Sequence, residues 1–186
     1  EITTNSLTTK KLRKFSYWDS EKTVEMVHKL SDEHSILKQK LLFTSLDSIR
    51  YNINRKQKNL KFFEFDKAYS LEEKEYKESS KIGIYITGLK QEEHFVNKPE
   101  NVSFFDVINI TNKVLNIARI SDFETKPKAD SKTLDMCVEI ISNGVVLGEV
   151  GMVKKEILKT FEISQDVYHA EIDWPNLVMN FDKEFK

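Results

Sequence analysis

Asn143-Gly144 lies between two runs of alternating apolar residues, MCVEIIS before it and VVLGEVGMV after it. A two-residue type I′ turn needs positive φ at both central positions, and Asn-Gly adopts it at least cost. The dipeptide therefore predicts an antiparallel hairpin, and with it a sheet of defined register. Other segments carry the same strand signal. LKFFEFDKAY places Phe63, Phe65 and Tyr69 on one face, and KIGIYITG places Ile82, Ile84 and Ile86 on one face. The charged run SLEEKEYKESS between them predicts a long hairpin with a solvated tip. VYHAEID reads as a last strand, and the β-branched residues 2–7 as an opening one.

Helical spacing separates these strands. Residues 35–55 read as mostly helical, with Thr44 and Asp47 in a capping-box-like start and Leu46, Ile49, Arg50 and Ile53 along one face. Ser103 with Asp106 caps a second helix carrying Phe104, Val107, Ile108, Thr111, Leu115 and Ala118. Residues 155–161 form a short third helix that buries Ile157, Leu158 and Phe161. Residues 10–32 suggest a short helix or an irregular arm through Val24, Val27 and Leu30, and residues 91–101 and 121–132 read as loops. Strands joined largely by hairpins, with helices between them, define an α+β domain around an antiparallel sheet. At 186 residues, one domain spanning 1–186 is expected.

Composition excludes several functions. With 39% hydrophobic residues the chain is too apolar for disorder. No apolar run approaches the roughly 20 residues needed to cross a bilayer, so no membrane role is expected. A net charge of −1 leaves nucleic acid only local patches to grip. The single cysteine, Cys137, rules out an internal disulfide and reads as strand packing rather than a nucleophile. His28, His34, His94 and His169 share no metal-ligand spacing with each other or with Cys137, so no metal site is expected.

Glu171 and Asp173 fall two apart on one strand face. Paired-carboxylate chemistry is conceivable there, but a polar sheet face turned to water accounts for them better. Two candidate contact sites remain. Arg55, Lys56, Lys58 and Lys61 form a basic turn after the first long helix, suited to nucleic-acid phosphates or simply to a solvated helix end. Phe15, Tyr17 and Trp18 are three aromatics in a polar arm that either anchor a partner or tuck into the domain's own core.

Four segments, taken in order, resemble bacterial-type phenylalanine–tRNA ligase β subunits: EITTNSLT, LSDEHSILKQKLLFTSLDSIRYNINRKQKNLKFFEFDKAY, SFFDVINITNKVL and SNGVVLGEVGMVKKEILKTFEISQDVYHAEIDWPNLV. The resemblance covers nearly the whole chain. Departures are local: Lys38 stands where the family usually carries arginine, a Pro-Gly pair is absent from LKQKLLFTS, and Lys154-Lys155 replaces His-Pro. The resemblance implies a class II synthetase fold, an antiparallel sheet of about six strands flanked by helices. It further implies that the chain is an excised piece of a longer, cytoplasmic β subunit that joins a catalytic α subunit in an (αβ)2 assembly. That assembly binds tRNA and charges it with phenylalanine using ATP and magnesium.

In class II enzymes one arginine from the hairpin after the first long helix grips the α-phosphate of ATP, and a second from the final strand–helix unit grips the γ-phosphate. The planar guanidinium suits this because it binds phosphate bidentately and stays charged. The chain has only Arg13, Arg50, Arg55 and Arg119, with none in LKFFEFDKAYS, none in HAEIDWPNLVMN and none after Arg119. Asp173, Trp174, Pro175 and Asn176 occupy the region where the α subunit carries Gly-x-Gly-x-x-Arg. Part of an enzyme, the domain is itself expected to be inactive, with no catalytic residue and no cofactor of its own. The rival expectations are a free-standing ATP-dependent ligase of a small carboxylate and an independent RNA-binding module.

Overall fold

The structure, a computed structural model, describes residues 1–28, 31–91 and 99–181. Its elements run β1 (Leu7–Thr8), a 3-10 turn (Lys10–Lys14), β2 (Ile36–Leu37), α1 (Leu41–Asn54), β3 (Leu60–Glu72), β4 (Glu75–Thr87), β5 (Leu89–Gln91) and β6 (Glu100–Asn101). They continue through α2 (Phe104–Ile117), β7 (Glu124–Pro127), β8 (Leu134–Ser142), β9 (Val145–Val153), α3 (Lys155–Thr160), β10 (Val167–Asp173) and α4 (Trp174–Met179). Six strands form one antiparallel sheet in the order β3-β4-β10-β9-β8-β7.

Both hairpins close through two residues of positive φ. Asn143 and Gly144 have φ of 50° and 75°, and Ser142 pairs with Val145. Glu73 and Lys74 have φ of 51° and 70°, and Glu72 pairs with Glu75, so the charged tip is a tight turn. On one sheet face, Leu42, Phe43, Leu46 and Ile49 of α1 pack with Ile157 and Leu158 of α3 over Leu60, Tyr85, Val153 and Val167. On the other, Val107 and Leu115 of α2 and Leu177 of α4 cover Ile84, Ile86, Ile140, Leu147, Val150, Ala170 and Ile172. Strands β4, β9 and β10 thus belong to two cores at once.

Several sequence expectations need correction. The opening strand shrinks to Leu7–Thr8, although Ile2 still donates its N–H to Phe63 O at 2.9 Å. Residues 35–37 pair as strand β2 with β1 before α1 begins at Leu41, three residues ahead of Thr44. The Thr44 hydroxyl therefore lies inside the helix and donates to Leu41 O at 3.2 Å. Residues 124–127, read as loop, form edge strand β7, and α4 follows β10 with Pro175 in its first turn.

Strand β3 alternates as read, with Phe63 and Phe65 on one face. Phe63 and Phe65 are 47% and 53% exposed, while Leu60, Glu64 and Ala68 of the opposite face are buried. In residues 10–32, Val24 is buried but Val27 is exposed, and Leu30 lies outside the described residues. The capping box of α2 is present as read, with Ser103 N–H donating to Asp106 Oδ2 at 2.9 Å. Among the described residues no helix is long and apolar enough to cross a membrane.

Candidate functional site

On the α1 side the sheet changes from apolar to charged in successive cross-strand rows. Leu60, Thr87 and Val167 form one row; Phe62, Tyr85, His169 and Gly151 form the next. The row beyond them reads Glu64, Gly83, Glu171, Glu149 and Glu139 across β3, β4, β10, β9 and β8. The last places Lys81 between Asp66 and Asp173. Neighbouring like charges on one sheet face repel, so four carboxylates in a line require cations between them.

Lysines supply those cations. Lys38 Nζ, fully buried, lies 2.8 Å from Asp66 Oδ2 and 3.5 Å from Glu64 Oε1, and donates to Thr4 Oγ1 at 2.9 Å. Glu64 also accepts from Thr4 N–H at 2.8 Å and from Ser45 Oγ at 3.0 Å. Lys40, at the start of α1, reaches Glu149 at 2.5 Å. Lys128 joins Glu139 at 2.9 Å and Glu149 at 3.3 Å, and Lys81 joins Asp173 at 2.6 Å.

Burial alone would raise the Glu149 carboxyl, but Lys40 and Lys128 outweigh it and hold it at about 2. Burial likewise opposes the charge on Asp173, and the hydrogen bond from Lys81 brings its carboxyl down. The Glu171 carboxyl is raised by burial, and Oε2 accepts the Leu41 N–H at 3.1 Å. A strand carboxylate thus satisfies one of the free N–H groups at the start of α1, a position with no capping side chain of its own. Burial pushes the His169 imidazole down to about 4; its Nδ1–H donates to Ile84 O at 3.1 Å and its ring stacks on Tyr85 at 4.7 Å.

Of this charged face, Glu149, Asp173, Lys40, Lys81 and Lys128 line a cleft of about 610 Å³, with Tyr17, Gln39 and Ser79 among its other walls. None of the four arginines lines it. Arg13 pairs with Glu25, Arg50 lies 3.1 Å from Asp47, and Arg55 stacks on the Tyr51 ring at 3.4 Å.

Glu171 does not face water as the sequence suggested: it is 9% exposed, beneath the start of α1. Tyr17 and Trp18 tuck into the domain's own core at 7% and 4% exposure, with Phe15 stacked on Tyr17 at 5.0 Å. Phe15, half-buried, packs against the same core. Arg55, Lys56, Lys58 and Lys61 are all exposed. Cys137 is buried, and burial lifts its thiol to about 11. His94 lies outside the described residues; among those described, no cluster of three His, Cys, Asp or Glu side chains is arranged to hold a metal.

Sequence reasoning did not single out Lys40, Lys81, Lys128, Glu139 or Glu149. One signal was available: Glu149 is the lone charge inside an otherwise apolar strand, where a buried partner is required.

A six-stranded antiparallel sheet with helices on both faces and a cleft over the charged face is the architecture of class II aminoacyl-tRNA synthetases. Pyrrolysyl-tRNA synthetase from Desulfitobacterium hafniense superimposes with a TM-score of 0.72 over 96% of this chain and 61% of that one, at 16% identity. The chain belongs to the family of the phenylalanyl-tRNA synthetase beta chain CLM domain, whose profile matches residues 1–174. Among its relatives, the phenylalanine–tRNA ligase beta subunit of Porphyromonas gingivalis is 30% identical over 96% of the chain, and that of Bacteroides thetaiotaomicron is 29% identical over the same share. The chain spans 23% of the length of each.

Proposed function

We propose that this chain is the synthetase-like, non-catalytic domain of a phenylalanine–tRNA ligase β subunit. It supports assembly with the catalytic α subunit, as an (αβ)2 heterotetramer, and the binding of tRNA. In this reading residues 1–186 are one domain of a longer cytoplasmic chain, and ATP and magnesium are used elsewhere in the ligase.

One observation carries the reading: the sheet face that would carry a nucleotide is occupied by its own ion pairs. A triphosphate entering the cleft would meet the carboxylates of Glu149 and Asp173, and Lys40, Lys81 and Lys128 beside them are already engaged with those acids and Glu139. No guanidinium reaches the cleft to displace them. The residues present therefore do not fit ATP. Catalysis by fixed positive groups needs them placed before charge develops, and here they neutralise the protein's own acids.

Calorimetric titration of ATP, and separately of phenylalanine, into the 186-residue chain is expected to show no saturable heat. Binding of either would favour the free-standing ligase. Removing residues 35–173 from the full β chain is expected to abolish its co-elution with α on gel filtration. Normal assembly of the shortened chain would remove the scaffold role.

A further inference from the structure

The turn that follows α1 is a strongly basic feature that does not line the cleft. Arg55, Lys56, Lys58 and Lys61 lie within seven residues and are all exposed. None of the four is in an ion pair among the described residues. By contrast, Lys67, Lys77, Lys81 and Lys128 each have a carboxylate oxygen within 3.1 Å. On a chain of net charge −1, this leaves a local positive patch.

A solvated helix end explains only part of the arrangement. The field of a helix C-terminus fades within its last turn, which reaches Arg55 and Lys56. Lys58 lies beyond it, and Lys61 is already in β3.

The backbone beneath these side chains is held at several points. Gln165 Nε2 donates to Lys58 O at 2.7 Å and Leu89 N–H to Asn59 Oδ1 at 2.8 Å. Gly88, at φ +84°, lies so close that any side chain there would strike Lys58 O. The Arg55 guanidinium is laid flat on Tyr51 and donates to Tyr51 O at 3.2 Å. A loop whose backbone is fixed in advance loses less entropy when it meets an extended anion.

We infer that this turn is a preformed contact for the phosphate backbone of RNA, made through Arg55, Lys56, Lys58 and Lys61. This rests on the reading of the domain as part of a tRNA ligase and names the surface through which it touches the nucleic acid. Binding of this kind is insensitive to sequence and steeply dependent on salt.

The test uses an unmodified tRNA transcript, labelled at its 3′ end, with fluorescence anisotropy read across a salt series. It is run on the 186-residue chain and on the full β chain with α. Changing all four residues to glutamine is expected to weaken binding by about tenfold or more near 0.1 M salt, and to flatten the log–log salt dependence by about three to four. The control Lys113→Gln/Lys126→Gln, on α2 and β7, is expected to stay within about twofold of the parent. Thermal melting of each variant confirms that the fold is kept, and Lys58→Gln alone repeats the test if the quadruple variant melts early.

An unchanged salt slope in the turn variant, or an equal loss in the control, would overturn the inference. Gel filtration of the same samples separates it from the broader proposal. If the parent fails to join α while the turn variant still loses RNA binding, the RNA surface stands and the scaffold role falls.

Discussion

Lys38 is fully buried, yet its ammonium has three oxygens within reach on Thr4, Glu64 and Asp66. Removing one member of such a group strands the other's charge, which costs about 3–5 kcal/mol, whereas replacing both members is often close to neutral. Lys38→Met is therefore expected to lower the stability of the chain by that amount in urea unfolding, and Lys38→Met/Glu64→Gln to recover most of it. If the double variant is as unstable as the single, the lysine matters as packing and not as charge. At this scale the sequence was partly legible. It showed a lysine where the family usually carries arginine, and it showed the absence of arginine from both strands that would need one. It did not show that Lys38 neutralises Glu64, because those residues are 26 positions apart and meet only when the sheet forms. The same separation hid the partners of Glu149.

Elements with strong local chemistry were read well. Asn143-Gly144 closes its hairpin at positive φ, and the Ser103–Asp106 box starts α2 at the expected place. Elements whose cause is distant were misread. The start of α1 is satisfied by Glu171 of β10, 130 residues away, so no local cap marked it. On β3 the alternation put Phe63 and Phe65 on one face but could not say which face is the more deeply buried. The opposite face is inward because Thr4, Lys38 and Ser45 satisfy the carboxylates. The two hairpins also differ in a testable way. Glu73 and Lys74 hold positive φ without the residues that tolerate it, at roughly 1 kcal/mol or more each. Glu73→Asn/Lys74→Gly is expected to raise the melting temperature by a few degrees, equivalent to about 1 kcal/mol. A lower melting temperature would mean that the charged tip contributes contacts worth more than the relief of strain.

For the whole molecule, the deciding feature is that one sheet serves two cores. Ile84, Val150, Ala170 and Ile172 point to the α2 side, and Tyr85, Val153 and Val167, from the same three strands, to the α1 side. Neither core can come apart without fraying strands that the other needs, so the chain is expected to unfold in a single step. Two tryptophans report this from opposite sides. Trp18 is buried against Phe43 of α1, at 5.6 Å between ring centroids, while Trp174 begins α4 on the other face, its ring 5.1 Å edge-on from Phe65. Trp18→Phe leaves Trp174 as the only tryptophan and Trp174→Phe leaves Trp18, each excited selectively at the red edge of the absorption band. In each variant the fluorescence transition in urea is expected to coincide with its own far-ultraviolet circular dichroism transition, with equal m-values. If the Trp174 signal instead moved well before the dichroism, the α4 side would be opening by itself. The charged row would then be bracing the α1 face alone, and the sheet would no longer act as the single frame from which an assembly role follows.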